Sequence, residues 1–140
     1  IVDGVSDLFA ECSDWLALIK EFAADEREFV RRTAFAMMAW ASVHRKQEPD
    51  STFLAFFPTL RACANDQRNF VWKAVSWALR SIGKRSIRLN GAATELAREL
   101  ASSSDATSRR IGREAVKELG SEMIIAAILR REKNRAKKSK

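Results

Sequence analysis

The stretch DEREFVRRTAFAM, beginning at Asp25, lines up with DQRNFVWKAVSWA, beginning at Asp66: an Asp, then Phe-Val four and five residues later, then a basic residue at seven. A looser third copy, DATSRRIGREAVKEL, begins at Asp105, so the spacings are 41 and 39 residues. A supersecondary unit of this size cannot bury its apolar face alone, whereas stacked copies bury a continuous core. With two prolines, five glycines and few β-branched residues, strands are hard to place, and the chain reads as all α. The period is within the range of HEAT-type helical repeats. The expected architecture is therefore an all-α, HEAT-like helical-repeat solenoid, an α-α superhelix of stacked antiparallel helix pairs with a concave face.

The expected elements follow from caps and breakers. Ser13 opens a helix with Trp15, Leu16, Ile19 and Phe22 at helical spacing. Asp25 followed by Glu28 resembles a capping box for a long helix through about Arg45, after which QEPDS makes a loop. Ser51 begins the next helix, and Pro58 should kink or divide it near Phe57. Asn65 and Asp66 start a helix that Gly83 is expected to cap. Further helices are expected over residues 86 to 101, 106 to 119 and 122 to 133. One repeat domain over residues 1–129 is expected, followed by a basic, disordered tail over residues 130–140. The chain lacks an initiator Met and starts in mid-pattern, as a C-terminal portion of a longer protein would.

Charge is concentrated in two places. Of a net charge of +7, the tail RREKNRAKKSK carries +6, and residues 67 to 94 carry another +6 with no acid among them; residues 1 to 66 carry −4. An acid-free folded segment is the footprint of a polyanion-binding face. No targeting segment or apolar run of spanning length occurs, which points to a cytoplasmic, nucleoid-associated protein with no membrane partner. Cys12 and Cys63 stand outside any CxxC and read as reduced core thiols. His44 is the single histidine, so there is no His-based triad and no metal cluster, and no Gly-rich loop follows a strand. No cofactor is expected.

Within the acid-free segment, Phe70, Val71, Ala74, Val75, Ala78, Leu79 and Ile82 fall on one half of a helix, and Lys73, Trp77, Arg80 and Lys84 form a stripe opposite. A cationic stripe tracks phosphates, and an indole among the cations can lie against a sugar or base, a contact of about 1–3 kcal/mol in single-stranded systems. Packing against a neighbouring repeat would account for an indole there as well. Arg31, Arg32 and Lys73 have the same second reading as repeat-to-repeat contacts. Trp15, Trp40 and Trp72 are expected in the core or an interface.

The run RNFVWKAVSWALRSIGKRSIRLN, residues 68 to 90, resembles the DNA alkylation-repair family, the AlkD-like HEAT-repeat DNA glycosylases, most specifically in WALR followed by IGKR. The resemblance extends through EFVRRTAFAM upstream and SRRIGREAVKEL downstream. It implies binding of duplex DNA and excision of cationic N3- or N7-alkylpurines. The family's Trp-x-x-x-Asp motif supplies a catalytic carboxylate; the opening IVDG looks like its end and puts that carboxylate at Asp3, with the motif's Trp before Ile1. By the same resemblance Trp77 is an active-site tryptophan, Arg80 contacts DNA, and either Arg31 or Arg32 does so from the preceding repeat. Lys73, Lys84 and Arg85 complete the expected DNA-binding set. Two other readings are weighed: the same solenoid holding DNA without excision, and a protein-interaction scaffold.

Overall fold

The computed structural model describes residues 13–138, and Asp3 and Cys12 lie outside them. Among the described residues there are eight helices and no strand: α1 (Trp15–Ala24), α2 (Glu28–His44), α3 (Asp50–Leu54), α4 (Phe57–Cys63), α5 (Asn69–Gly83), α6 (Ile87–Ala101), α7 (Ala106–Leu119) and α8 (Glu122–Lys138). The protein is an all-α helical-repeat fold. The three repeat-starting Asp residues precede α2, α5 and α7. These helices form one layer, α2 beside α5 and α5 beside α7, while α1, α4 and α6 pack on them and α3 packs on α6.

Pro58 divides the expected third helix into α3 and α4, because a ring at the second position of α4 occupies a place where no intrahelical N–H is needed. Ser86 and Asp105 cap α6 and α7 by accepting from Leu89 N–H and Ser108 N–H. Three expectations are corrected. Asp25 and Asp66 are not N-caps; Arg27 and Arg68 hold that position, and each Asp caps from two residues upstream by accepting the Arg backbone N–H and pairing with its guanidinium. Gly83 is the last residue of α5 and Lys84 its cap, with no positive-φ glycine among the described residues. Gly83 is needed for space: a Cβ there would lie 2.6 Å from Leu119 Cδ1. The basic tail is helical through Lys138, not disordered, since α8 continues past residue 133.

The core follows the layers. Phe35, Met37, Met38 and the alanines 34, 36, 39 and 41 of α2 are all buried, so this helix is covered on every side. Against it lie Val71, Val75, Leu79 and Ile82 of α5, and next Ile111, Ala115 and Leu119 of α7. Gly112 lets α7 approach α6 closely: a Cβ would fall 2.3 Å from Ala101 N and 2.5 Å from Ala97 O, both backbone atoms. Phe70, expected on the apolar side, is 45% exposed and instead meets its repeat equivalent Phe29 at 5.3 Å at the end of the layer. Trp15 is buried with its edge toward Phe56, while Trp40 and Trp72 are half-buried against the core. Cys63 is a buried free thiol whose pKa burial pushes up.

The repeats are clasped at Asp66. Its carboxylate, 7% exposed, receives Arg68 of its own repeat at 2.7 Å and Arg31 of the preceding repeat at 2.9 Å. Arg31 also donates to the carbonyls of Ala23 and Asp25, Arg68 donates to the Glu26 carbonyl, and Glu28 accepts Phe70 N–H at 3.2 Å. These bonds join N-terminal ends to N-terminal ends, so α2 and α5 run parallel. Hydrogen bonding from Arg68 first, then from Arg31, holds the Asp66 pKa down at about 2 against the opposing effect of burial.

A carboxylate with a depressed folded pKa contributes stability above its unfolded pKa and loses it as pH falls through the folded value. Stability should therefore fall between about pH 4 and pH 2 with Asp66 as a contributor. Asp66→Asn should cost about 2–3 kcal/mol at pH 7, below the value for removing one partner of a fully buried pair because Arg31 and Arg68 keep partial solvent contact. The variant should also flatten the acid limb, as read by urea denaturation across pH. Asp25→Asn, at an exposed pair, should cost clearly less than Asp66→Asn.

Candidate nucleic-acid interface

The face of α5 opposite its core side is open. Val71, Ala74, Val75, Ala78, Leu79 and Ile82 are buried, while Lys73 and Trp77 are exposed, Trp77 at 39%. Trp77 is the one exposed tryptophan among the described residues. Packing against a neighbouring repeat therefore leaves part of its ring open to solvent.

Around it the cations differ in how they are held. Lys73 is exposed, with its ammonium 5.9 Å from the ring of Trp72. Arg80 is half-buried: its Nε donates to Ser76 O and Oγ at 3.2 Å, and Nη1 reaches Glu118 at 3.4 Å. Lys84 donates to the other oxygen of Glu118 at 2.9 Å. One carboxylate from α7 thus holds two cations that are four residues apart on α5. Burial raises the Glu118 pKa, but the bonds and charges of Lys84 and Arg80 outweigh it and leave the group below its ordinary value. Glu118 is ionised at neutral pH and balances the charge of Arg80 and Lys84.

The other expected contact residues lie elsewhere. Arg31 is committed to the clasp at Asp66. Arg32, one residue on, is half-buried on α2. Arg85 is turned inward, 10% exposed, donating to the carbonyls of Ser42, Arg45 and Glu48 at 2.7–2.8 Å, with its guanidinium 4.4 Å above the Phe53 ring. It bonds a carbonyl in the last turn of α2 and two in the cap and loop that follow, tying that end to the end of α5. Burial, first, and the positive charge of Arg135 lower its pKa, while Asp50 and Glu48 oppose them.

The arrangement that remains is Lys73, Trp77, Arg80 and Lys84 on one helix face, with Glu118 and Ser76 holding two of the cations. Sequence reasoning misses Glu118, because it lies 38 and 34 residues from its partners. Its place at the C-terminal end of the third repeat, opposite the same part of the second, is the signal that could have found it. Among the described residues no cluster of His, Cys, Asp and Glu could hold a metal ion, and no helix is long and apolar enough to cross a membrane.

Fold and face together define a helical-repeat protein that presents an indole flanked by cations. The family model described as DNA alkylation repair enzyme matches residues 1–119, and the chain belongs to that family, with a role in DNA repair. No curated protein and no solved structure matches the chain.

The two kinds of arginine separate by stability. Arg85→Lys should cost about 2 kcal/mol in urea denaturation, because an ammonium cannot span three carbonyls and an aromatic face. Arg80→Gln, removing a half-exposed pair, should cost under about 1 kcal/mol. Equal losses would contradict this division.

Proposed function

We propose that the protein is a DNA glycosylase-type repair enzyme that binds duplex DNA through Lys73, Trp77, Arg80 and Lys84 and excises cationic N3- and N7-alkylpurines. The observation that carries the reading is the open position of Trp77 among three cations, on the segment where the family resemblance is most specific. The cations hold phosphates, and their affinity falls as salt rises because bound counterions are released. The indole, on the same face, lies against a deoxyribose or base.

The chemistry asks little of the protein. An alkylated purine is already a cation and leaves without strong acid assistance, so the barrier lies in the positive charge that develops on the sugar. A carboxylate beside that sugar stabilises the charge and positions the attacking water; Asp3 is assigned this role. Trp77 excludes bulk water at that point, which strengthens the carboxylate's attraction. Arg80 and Lys84 exchange Glu118 for backbone phosphate oxygens when DNA arrives.

Release of free 7-methylguanine from methylated duplex DNA tests this. The expected result is release by the full chain, loss of at least a hundredfold in rate in Asp3→Asn, and loss of about tenfold or more in Trp77→Ala, each with the helical content of the parent. Wild-type release from Asp3→Asn would contradict the carboxylate assignment. Duplex binding with no release would select the non-catalytic module instead.

A further inference from the structure

The C-terminal helix lies beyond the part of the chain that the family model matches. It carries cations that the face of α5 does not use. On α8, Arg131, Arg135 and Lys138 stand at i, i+4 and i+7, which is one side of a helix over roughly 10 Å. That side is docked. Ile128 is buried, the Arg131 guanidinium donates to the Lys84 carbonyl, and Glu132 accepts Ile87 N–H at 2.9 Å.

Between this side of α8 and the C-terminal ends of α2 and α5 runs an open groove of about 700 Å³. Six of its ten lining residues are cations and none is acidic; Lys84 is paired with Glu118 and Arg85 is turned inward onto its carbonyls, so the charge the groove presents is that of Lys46, Arg131, Arg135 and Lys138. Cations near helix C-termini each gain about 0.3–1 kcal/mol from the helix dipole. That gain does not require Lys46, beyond the end of α2, to converge with the α8 cations on one groove, where they repel one another. Convergence of this kind fits a polyanion that supplies the missing negative charge. The lining has no aromatic ring to stack a base, so the groove is suited to a backbone.

Lys84 joins the groove to the site already described. It lines the groove and pairs with Glu118 beside Arg80, and it lies seven residues beyond Trp77, about 10 Å along α5. We propose that the groove between α8 and the ends of α2 and α5 holds the phosphodiester backbone of the same duplex that crosses Trp77. This rests on the DNA-binding reading above. At about 3.4 Å of axis per phosphate on one strand, the three α8 cations match about three phosphates. The groove reads no lesion. It extends the grip on undamaged backbone and raises affinity for any duplex, while the chemistry stays at Trp77.

The test is the salt dependence of binding to an unmodified 20-base-pair duplex, measured with the full chain and with the triple variant Lys46→Gln, Arg135→Gln, Lys138→Gln, whose three side chains are all exposed. Each phosphate contact contributes about −0.9 to the slope of log K against log salt, so the variant should have a slope shallower by about 2–3 and bind more than tenfold more weakly at 0.1 M salt. Single-turnover release of 7-methylguanine at saturating enzyme should be unchanged in rate. An unaltered slope in the triple variant, with binding weakened in Arg80→Gln, would overturn the groove and leave the α5 site standing. Failure of the parent chain to bind the duplex at 50 mM salt would overturn both. Loss of binding to phosphatidylserine vesicles, with duplex binding intact, would make the groove a membrane contact and overturn the proposal.

Discussion

The carboxylate of Asp66 sets the register of the stack. It is nearly enclosed, and it accepts one guanidinium from its own repeat and one from the repeat before. Because it lies two residues ahead of the helix cap, it fixes where α5 starts, and because it holds Arg31 it fixes that start relative to α2. Arg85 performs the matching task at the other end by gathering the last carbonyls of α2 and the loop after it. Two parallel helices pinned at both ends cannot rotate about their axes. The side of α5 that carries Trp77 is turned outward by that constraint.

The outward face is consequently more ordered than a run of surface cations would be. Arg80 is held by Ser76 on its own helix and by Glu118 on the next, and Lys84 shares that Glu118. An exposed ion pair of this type contributes little to stability, typically under about 1 kcal/mol. Its value is positional: two cations are held in fixed places by one carboxylate. Leu119, the residue after Glu118, fills the space that Gly83 leaves, so the packing that closes α5 onto α7 also aims the carboxylate.

The repeat was readable from two Phe-Val pairs 41 residues apart, and in the structure Phe29 and Phe70 do meet as equivalents. The exposed position of Trp77 was readable from periodicity, because a helix with one wide apolar side leaves the opposite residues outside. Which arginines face solvent was not readable. Arg31 and Arg85 carry the same charge as Arg80, and only the seams between repeats, set by contacts 35 to 43 residues apart, turn them inward. Order in the C-terminal tail was hidden for a related reason. A run of charges reads as solvated when its own composition is considered, whereas its helix is secured by Arg131 and Glu132 against partners 45 to 47 residues away and by the burial of Ile128.

DNA binding through α5 requires Trp77 to meet the duplex while the remaining tryptophans stay in the protein. The four indole N–H resonances in a proton–nitrogen correlation spectrum report on each ring separately. On titration with duplex DNA the Trp77 signal should shift or broaden strongly and the buried Trp15 signal should stay in place, assigned by Trp77→Phe. Saturation of the protein with duplex and no change at Trp77 would contradict the account.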